Sequence, residues 1–155
     1  MSEKEQYILN WIKDVSTLRP ELKNFAVCPF AAKSKFKIID CSIEELYIND
    51  DYDVLIFIVE DYLDLSAIEF WIKYYNYLYK DWKFFEDCES YDTYINGIKT
   101  NNSKYNLIIG QPYKKLRYFR QQLSKTSYYD LWDEEYLKEI LEDDYELIRN
   151  GIVTP

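Results

Sequence analysis

The residue of this chain best suited to chemistry is Cys28, which lies in the apolar string NFAVCPFA at residues 24–31. A cysteine thiolate is a nucleophile, but it commonly works with a histidine base, and the 155-residue sequence contains no histidine. Serine–histidine and cysteine–histidine catalysis, histidine-ligated zinc and proton transfer by histidine are therefore excluded. An isolated cysteine among apolar neighbours is more often an inert core residue, so burial of Cys28 is the expectation.

The three cysteines, Cys28, Cys41 and Cys88, indicate neither a disulfide framework nor a metal site. They are odd in number and irregularly spaced, with no Cys-x-x-Cys pair, which favours a reducing, cytoplasmic location. The sequence also contains no P-loop, no Gly-x-Gly-x-x-Gly and no Gly-x-Ser-x-Gly motif. We therefore expect no metal and no cofactor, and no nucleotide-binding enzyme of the familiar kinds.

Charge is segregated towards the end of the chain. Residues 111–128 contain five basic residues and no acid, whereas residues 130–146 contain nine acids and only Lys138. The net charge of −9 and the adjacent acids repel a polyanion, so we expect intramolecular pairing and no binding of nucleic acid. The acidic run predicts a solvated helix face, and the alternative is a surface that imitates DNA phosphates, as in small acidic viral inhibitors.

A third candidate feature is a row of aromatic residues on one predicted helix, Phe70, Tyr74 and Tyr77, which we name the aromatic ridge. These rings lie nearly opposite the broad apolar face of that helix, so one packed face cannot bury both sets. Three large rings in water forgo several kcal/mol of burial, at about 25 cal/mol per Å², so we expect the chain's own helices to cover them. The alternative is an interface with a protein partner or a second copy.

The elements that position these residues alternate between helix and strand. Apolar spacing predicts helices over residues 2–18, 64–80, 112–123 and 133–150, and a brief one over 42–47. Apolar, β-branched runs predict strands over residues 36–41, 53–59, 83–88 and 105–109. The second strand is apolar on both faces, which predicts a central, parallel position; the third is charged, which predicts an edge. Residues 89–104, with Asn96-Gly97, predict a loop or hairpin.

This pattern predicts one α/β domain over residues 1–155. We expect a sandwich with a small, at least partly parallel sheet of about four strands and helices packed on it. With 48% hydrophobic residues, a chain of this length can bury a core that needs neither disulfide nor metal. No apolar run approaches the roughly 20 residues of a membrane-spanning helix, and the N-terminus lacks the pattern of a signal peptide.

Two short motifs resemble those of a bacterial family known as domain of unknown function 1415. The string Cys-Pro-Phe-Ala at residues 28–31 follows an N-terminal tryptophan helix, as in that family. Residues 112–120, with Pro112, Tyr113, Leu116 and Arg120, are similar to its Pro-Tyr-x-x-Leu-x-x-x-Arg pattern, and residues 62–64 resemble its Phe-Leu-Asp step. The resemblance implies an α/β fold and no particular activity. The histidines that the family carries after its strands are absent from this chain.

The same resemblance implies that the Cys28 and Arg120 motifs lie close together. The guanidinium of Arg120 would then favour the thiolate of Cys28 and, with Phe30, Pro112 and Tyr113, would form a small anion-binding pocket. The alternative is structural: Cys28 and Pro29 form a tight buried turn while Arg120 pairs with a carboxylate.

The leading functional interpretation is a cytoplasmic domain that binds a protein or a small anionic ligand without catalysis, because no complete catalytic constellation can be assembled. One alternative is a thiol-dependent enzyme that uses Cys28 assisted by Arg120. Another is a viral acidic inhibitor of a host factor. The expected partners exclude nucleic acid and membrane, and they include a second copy of the chain bound through the aromatic ridge.

Overall fold

The part of the chain that the structure describes contains six strands and four α-helices, besides short 3₁₀ turns. A computed structural model describes residues 1–29, 31–89 and 92–145. The strands are β1 (Phe36–Asp40), β2 (Val54–Ile58), β3 (Trp82–Asp87), β4 (Tyr94–Ile95), β5 (Ile98–Lys99) and β6 (Leu107–Pro112). The helices are α1 (Glu3–Val15), α2 (Leu65–Leu78), α3 (Tyr113–Ser124) and α4 (Glu134–Leu141). None of the described helices has the length and apolar character needed to cross a membrane.

Four of the strands form one mixed sheet in the order β1-β2-β6-β3. β1 is parallel to β2, whereas β6 is antiparallel to both β2 and β3. The predicted α/β fold with a partly parallel four-stranded sheet is confirmed. β2 is central, as its apolar sequence predicts, but it is parallel on one side only. The charged β3 lies at an edge, as predicted, and β4 and β5 form a hairpin around Asn96-Gly97.

The predicted strand over residues 105–109 stops before Gly110, and this boundary is wrong. β6 continues through Gly110 to Pro112 and stays paired with β3 to the end. The reason is packing across the sheet, because a Cβ at position 110 would lie 2.8 Å from the Phe84 ring. The glycine therefore makes room for an aromatic ring within the sheet and does not form a turn.

The two faces of the sheet are covered by different helices. Leu55 and Phe57 of β2 pack into the core with α2, whereas the alternate residues Ile56 and Ile58 pack with α1. Asp64 caps the N-terminus of α2, because its Oδ1 accepts a hydrogen bond from the backbone N–H of Ala67 at 2.8 Å. The α1 face is shared with α3 and α4, and it is the face that carries the candidate site.

The aromatic ridge is not covered, contrary to expectation. Phe70, Tyr74 and Tyr77 are 66%, 46% and 74% exposed, although Ile68, Ile72 and Tyr75 of the same helix are buried. The physical reason is that α2 is an outer layer: the sheet lies on one side of it, while α1 packs on the opposite face of the sheet.

α4 is shorter than the predicted helix over residues 133–150. It ends at Leu141 because Glu142 adopts a φ of +48°, which a continuing right-handed helix does not allow. A 3₁₀ turn over Glu142–Asp144 follows and carries Asp144 back towards α3. The rest of the predicted helix, from residue 146, lies outside the described residues.

Candidate functional site

A cavity of about 310 Å³ lies between the sheet and the helices of the α1 face. Most of its wall is apolar, and each surrounding element contributes to it. The apolar contributors include Trp11, Ile56, Phe85, Leu116, Phe119 and Trp132. A mainly apolar concave site with a few polar groups is the usual form of a small-molecule site.

Cys28 and Arg120 both line this cavity. The expectation that Cys28 is buried is wrong, because its side chain is exposed while Ala26 and Val27 before it are buried. Its backbone explains the placement. The Cys28 N–H donates to the Val15 carbonyl at 2.9 Å, and the Cys28 carbonyl accepts from the Ala31 N–H at 3.2 Å. This turn fixes Cys28 beside the C-terminal end of α1.

Arg120 contributes a largely buried positive charge to the cavity wall. Its side chain is 11% exposed, and burial lowers its pKa while negatively charged neighbours oppose that shift. The nearest carboxylate oxygen, Oδ2 of Asp144, is 4.0 Å from Nη1. Among the residues that the structure describes, none accepts a hydrogen bond from the guanidinium. Its charge is therefore only partly compensated by the protein.

Asp144 is the carboxylate nearest to Arg120, in line with the structural alternative, in which Arg120 pairs with a carboxylate. It is 3% exposed, its Oδ2 accepts a hydrogen bond from the Tyr113 hydroxyl at 3.2 Å, and its Oδ1 lies 2.9 Å from Nε of Arg117. That ion pair is close but lacks the alignment of a hydrogen bond. The predicted pairing of the basic segment with the acidic run thus holds for Arg117 and Arg120, whereas Lys115 pairs with Asp53 outside that run at 2.6 Å.

The remaining residues of the predicted pocket are placed differently. Pro112 ends β6 and Tyr113 opens α3, and neither is among the described residues that line the cavity. Tyr113 supports Arg120 indirectly, because both contact Asp144. Phe30 lies outside the described residues.

Sequence reasoning missed Tyr129, which is 7% exposed and lines the same cavity. Its hydroxyl makes no hydrogen bond to any residue in the described part of the chain. Burial raises the pKa of this phenol; the positive charge of Arg120 opposes the shift, and Cys28 reinforces it. Arg120 and Cys28 therefore both lie within electrostatic range of one hydroxyl. The neighbouring Tyr128 donates its hydroxyl to the Val27 carbonyl and so fixes the turn that holds Cys28.

The cavity also borders acidic groups on β3, Glu86 and Asp87. Burial raises the pKa of Asp87 to about 6, although Asn102 opposes this shift by donating from its backbone N–H at 2.8 Å and from its amide at 2.7 Å. Burial and nearby acids also raise the pKa of Glu86. Within the described ranges there is no group of three potential metal ligands.

The other two cysteines are in unreactive surroundings. Burial and nearby carboxylates raise the pKa of Cys41 to about 11 and that of Cys88 to about 12. Both thiols therefore stay protonated near neutral pH, and the thiolate is the nucleophilic form. None of the three cysteines, all within the described ranges, forms a disulfide.

Comparison with known proteins gives no match. No protein-family model fits the chain, and no curated protein sequence or solved structure is significantly similar to it. The resemblance to domain of unknown function 1415 therefore stays a prediction.

Proposed function

We propose that the protein binds a small apolar anion in the cavity of the α1 face, without catalysis, and that Arg120 pairs with the negative group. The observation that carries this proposal is the incompletely paired, largely buried guanidinium in a mostly apolar wall. A buried cation without a full set of acceptors is costly, and an anionic ligand supplies the missing acceptors.

The size and shape of the cavity favour a carboxylic acid with an aromatic or medium-length apolar body. A volume of 310 Å³ corresponds to about ten water-sized groups, at roughly 30 Å³ each. The flat rings of Trp11, Phe85 and Phe119 suit an apolar body, and a guanidinium matches the two oxygens of a carboxylate.

The test is a titration with 3-phenylpropionate and with its neutral isostere, 3-phenylpropanamide, followed by the fluorescence of Trp11 and Trp132. We expect the acid to bind more tightly than the amide. The Arg120→Gln variant should lose about 10- to 100-fold in affinity for the acid alone, since a hydrogen bond to a charged group contributes about 1.5–3 kcal/mol. Arg117→Gln is the matched control, because Arg117 also pairs with Asp144 but does not line the cavity.

Equal binding of acid and amide by the unaltered protein would contradict the proposal. Equal losses in Arg120→Gln and Arg117→Gln would also contradict it, because they would mean that the Asp144 cluster matters only for folding.

A second observation, the exposure of the aromatic ridge, favours a macromolecular contact, and we propose a second copy of the chain as its occupant. In an antiparallel pairing of two α2 helices centred on Tyr74, Phe70 comes within one residue of Tyr77 of the other copy and Glu69 within one residue of its Lys80, so rings and opposite charges lie close together. Sedimentation velocity across a range of concentrations should reveal a dimer that is lost when all three ridge residues are changed to Ser. A concentration-independent monomer would refute this second proposal.

The acidic segment supports the inhibitor interpretation less well. Asp130 pairs with Lys23, Glu142 pairs with Lys83, and Asp144 is buried beneath Arg117. These acids have partners within the chain, so we do not propose that they imitate phosphates.

A further inference from the structure

We infer that Cys28 is a covalent attachment site for acids that enter the cavity and whose carboxylate is joined to an α,β-unsaturated ketone. This inference rests on the proposed binding function and adds a covalent bond between the Cys28 sulfur and the bound acid. It is carried by three residues that line one cavity: Cys28, whose side chain is exposed, Arg120, and Tyr129, which is 7% exposed.

Tyr129 adds a proton donor to the cavity that Cys28 lines. The phenol is 7% exposed, and its hydroxyl has no hydrogen-bond partner among the described residues. A ligand in the cavity can therefore accept a hydrogen bond from this hydroxyl. Because the pKa of Tyr129 is raised, the hydroxyl keeps its proton at neutral pH and can donate it.

The three groups match the demands of a conjugate addition. Arg120 holds the carboxylate of the acid, and the Cys28 thiol first loses its proton to solvent. The thiolate sulfur then forms a bond to the carbon β to the ketone, and the electron pair of the carbon–carbon double bond moves to the α-carbon next to the ketone. Tyr129 gives its proton to that α-carbon and is reprotonated from solvent, so the net change is addition of S–H across the double bond.

Of the three cysteines, Cys28 is the one whose surroundings suit this reaction. Cys41 and Cys88 have pKa values raised to about 11 and about 12, and Cys88 is also 1% exposed. Cys28 is the exposed thiol of the three. The adduct should therefore form at a single position.

The experiment measures adduct formation by intact-protein mass spectrometry with 2-oxo-4-phenylbut-3-enoate and with the corresponding amide, and it locates the adduct by peptide mapping. We expect one adduct, at Cys28. The ratio of acid to amide rates should fall about tenfold or more in Arg120→Gln and stay unchanged in Arg117→Gln. Comparing this ratio between variants cancels the intrinsic difference in reactivity between the two compounds.

Tyr129→Phe tests the proton donor. It should slow adduct formation with the unsaturated acid and leave the rate of Cys28 alkylation by iodoacetamide unchanged, because alkylation needs no proton at carbon. If Tyr129 acts only through structure, both rates will change together, and the proposed donor role is refuted.

The outcomes also separate this inference from the proposed function. If 3-phenylpropionate binds with dependence on Arg120 but the unsaturated acid labels Cys41 or Cys88 first, or shows no preference over its amide, the covalent inference alone is wrong. If 3-phenylpropionate shows no dependence on Arg120, the binding function itself is wrong.

Discussion

Asp87 should make the folded protein less stable as the pH rises through the range from about 4 to about 6. Its carboxyl lies at the end of β3, where burial raises its pKa from 3.8 to about 6. Below pH 3.8 the carboxyl is protonated in both the folded and the unfolded state, so it carries no penalty. As the pH rises, the unfolded state ionises first, and above about pH 6 the full penalty opposes folding.

The size of this penalty follows from the shift in pKa. A shift of about two units corresponds to about 3 kcal/mol, at 1.36 kcal/mol per unit, and the partial exposure of Asp87 makes this an upper value. The Asp87→Asn variant removes the charge and keeps an oxygen that can accept from the Asn102 N–H. We therefore expect it to be about 1–3 kcal/mol more stable than the unaltered protein at pH 7.5 and equally stable at pH 3.5.

Urea unfolding of both proteins between pH 3.5 and pH 8 measures this difference. Asp92→Asn is a control of opposite sign, since hydrogen bonding to Lys99 lowers the pKa of Asp92 and its contribution is therefore lost as the pH falls. An Asp87→Asn variant that is less stable at pH 7.5, or whose difference does not depend on pH, would refute the reasoning.

Three further predictions concern side-chain packing and the absence of a stabilising disulfide or metal. Changing the three residues of the aromatic ridge to Ser should alter the free energy of unfolding of the monomer little, whereas Ile68→Ala on the buried side of α2 should cost about 2–5 kcal/mol in urea unfolding; equal losses would mean that the ridge is core. Gly110→Ala should cost about 1–3 kcal/mol because its Cβ meets the Phe84 ring, and much of this loss should disappear when Phe84 is Leu; a loss that persists would place its cause in the backbone. The midpoint of thermal unfolding should not change with reductant or chelator, and a drop of several degrees with either would reveal a disulfide or a metal.

The sheet and its helices could be predicted because local patterns specify them. The apolar run of β2, the cap at Asp64 and the Asn96-Gly97 turn each depend on near neighbours in sequence. Gly110 was misjudged because its role depends on Phe84 in an adjacent strand, 26 positions away in the chain. The end of α4 was misjudged because a positive φ at a glutamate has no sequence signature.

The candidate site was only partly predictable for the same reason. Cys28 and Arg120 could be paired through the motifs that contain them, but the exposure of Cys28 depends on a hydrogen bond to Val15 at the end of α1. Tyr129 stands in a stretch with no motif, and its importance arises only from its burial beside Arg120. The aromatic ridge was expected to be covered because sequence cannot show which layer of a sandwich a helix occupies.

The most direct test of the proposed function is a methyl NMR titration of isoleucine-labelled protein with 3-phenylpropionate. Ile56, Ile109 and Ile140 line the cavity, whereas Ile68 and Ile72 lie on the α2 face of the sheet. The proposed site predicts shifts at the first three methyl groups that saturate together and that disappear in Arg120→Gln but persist in Arg117→Gln. Shifts confined to Ile68 and Ile72, or the same titration in Arg120→Gln, would contradict binding in the cavity.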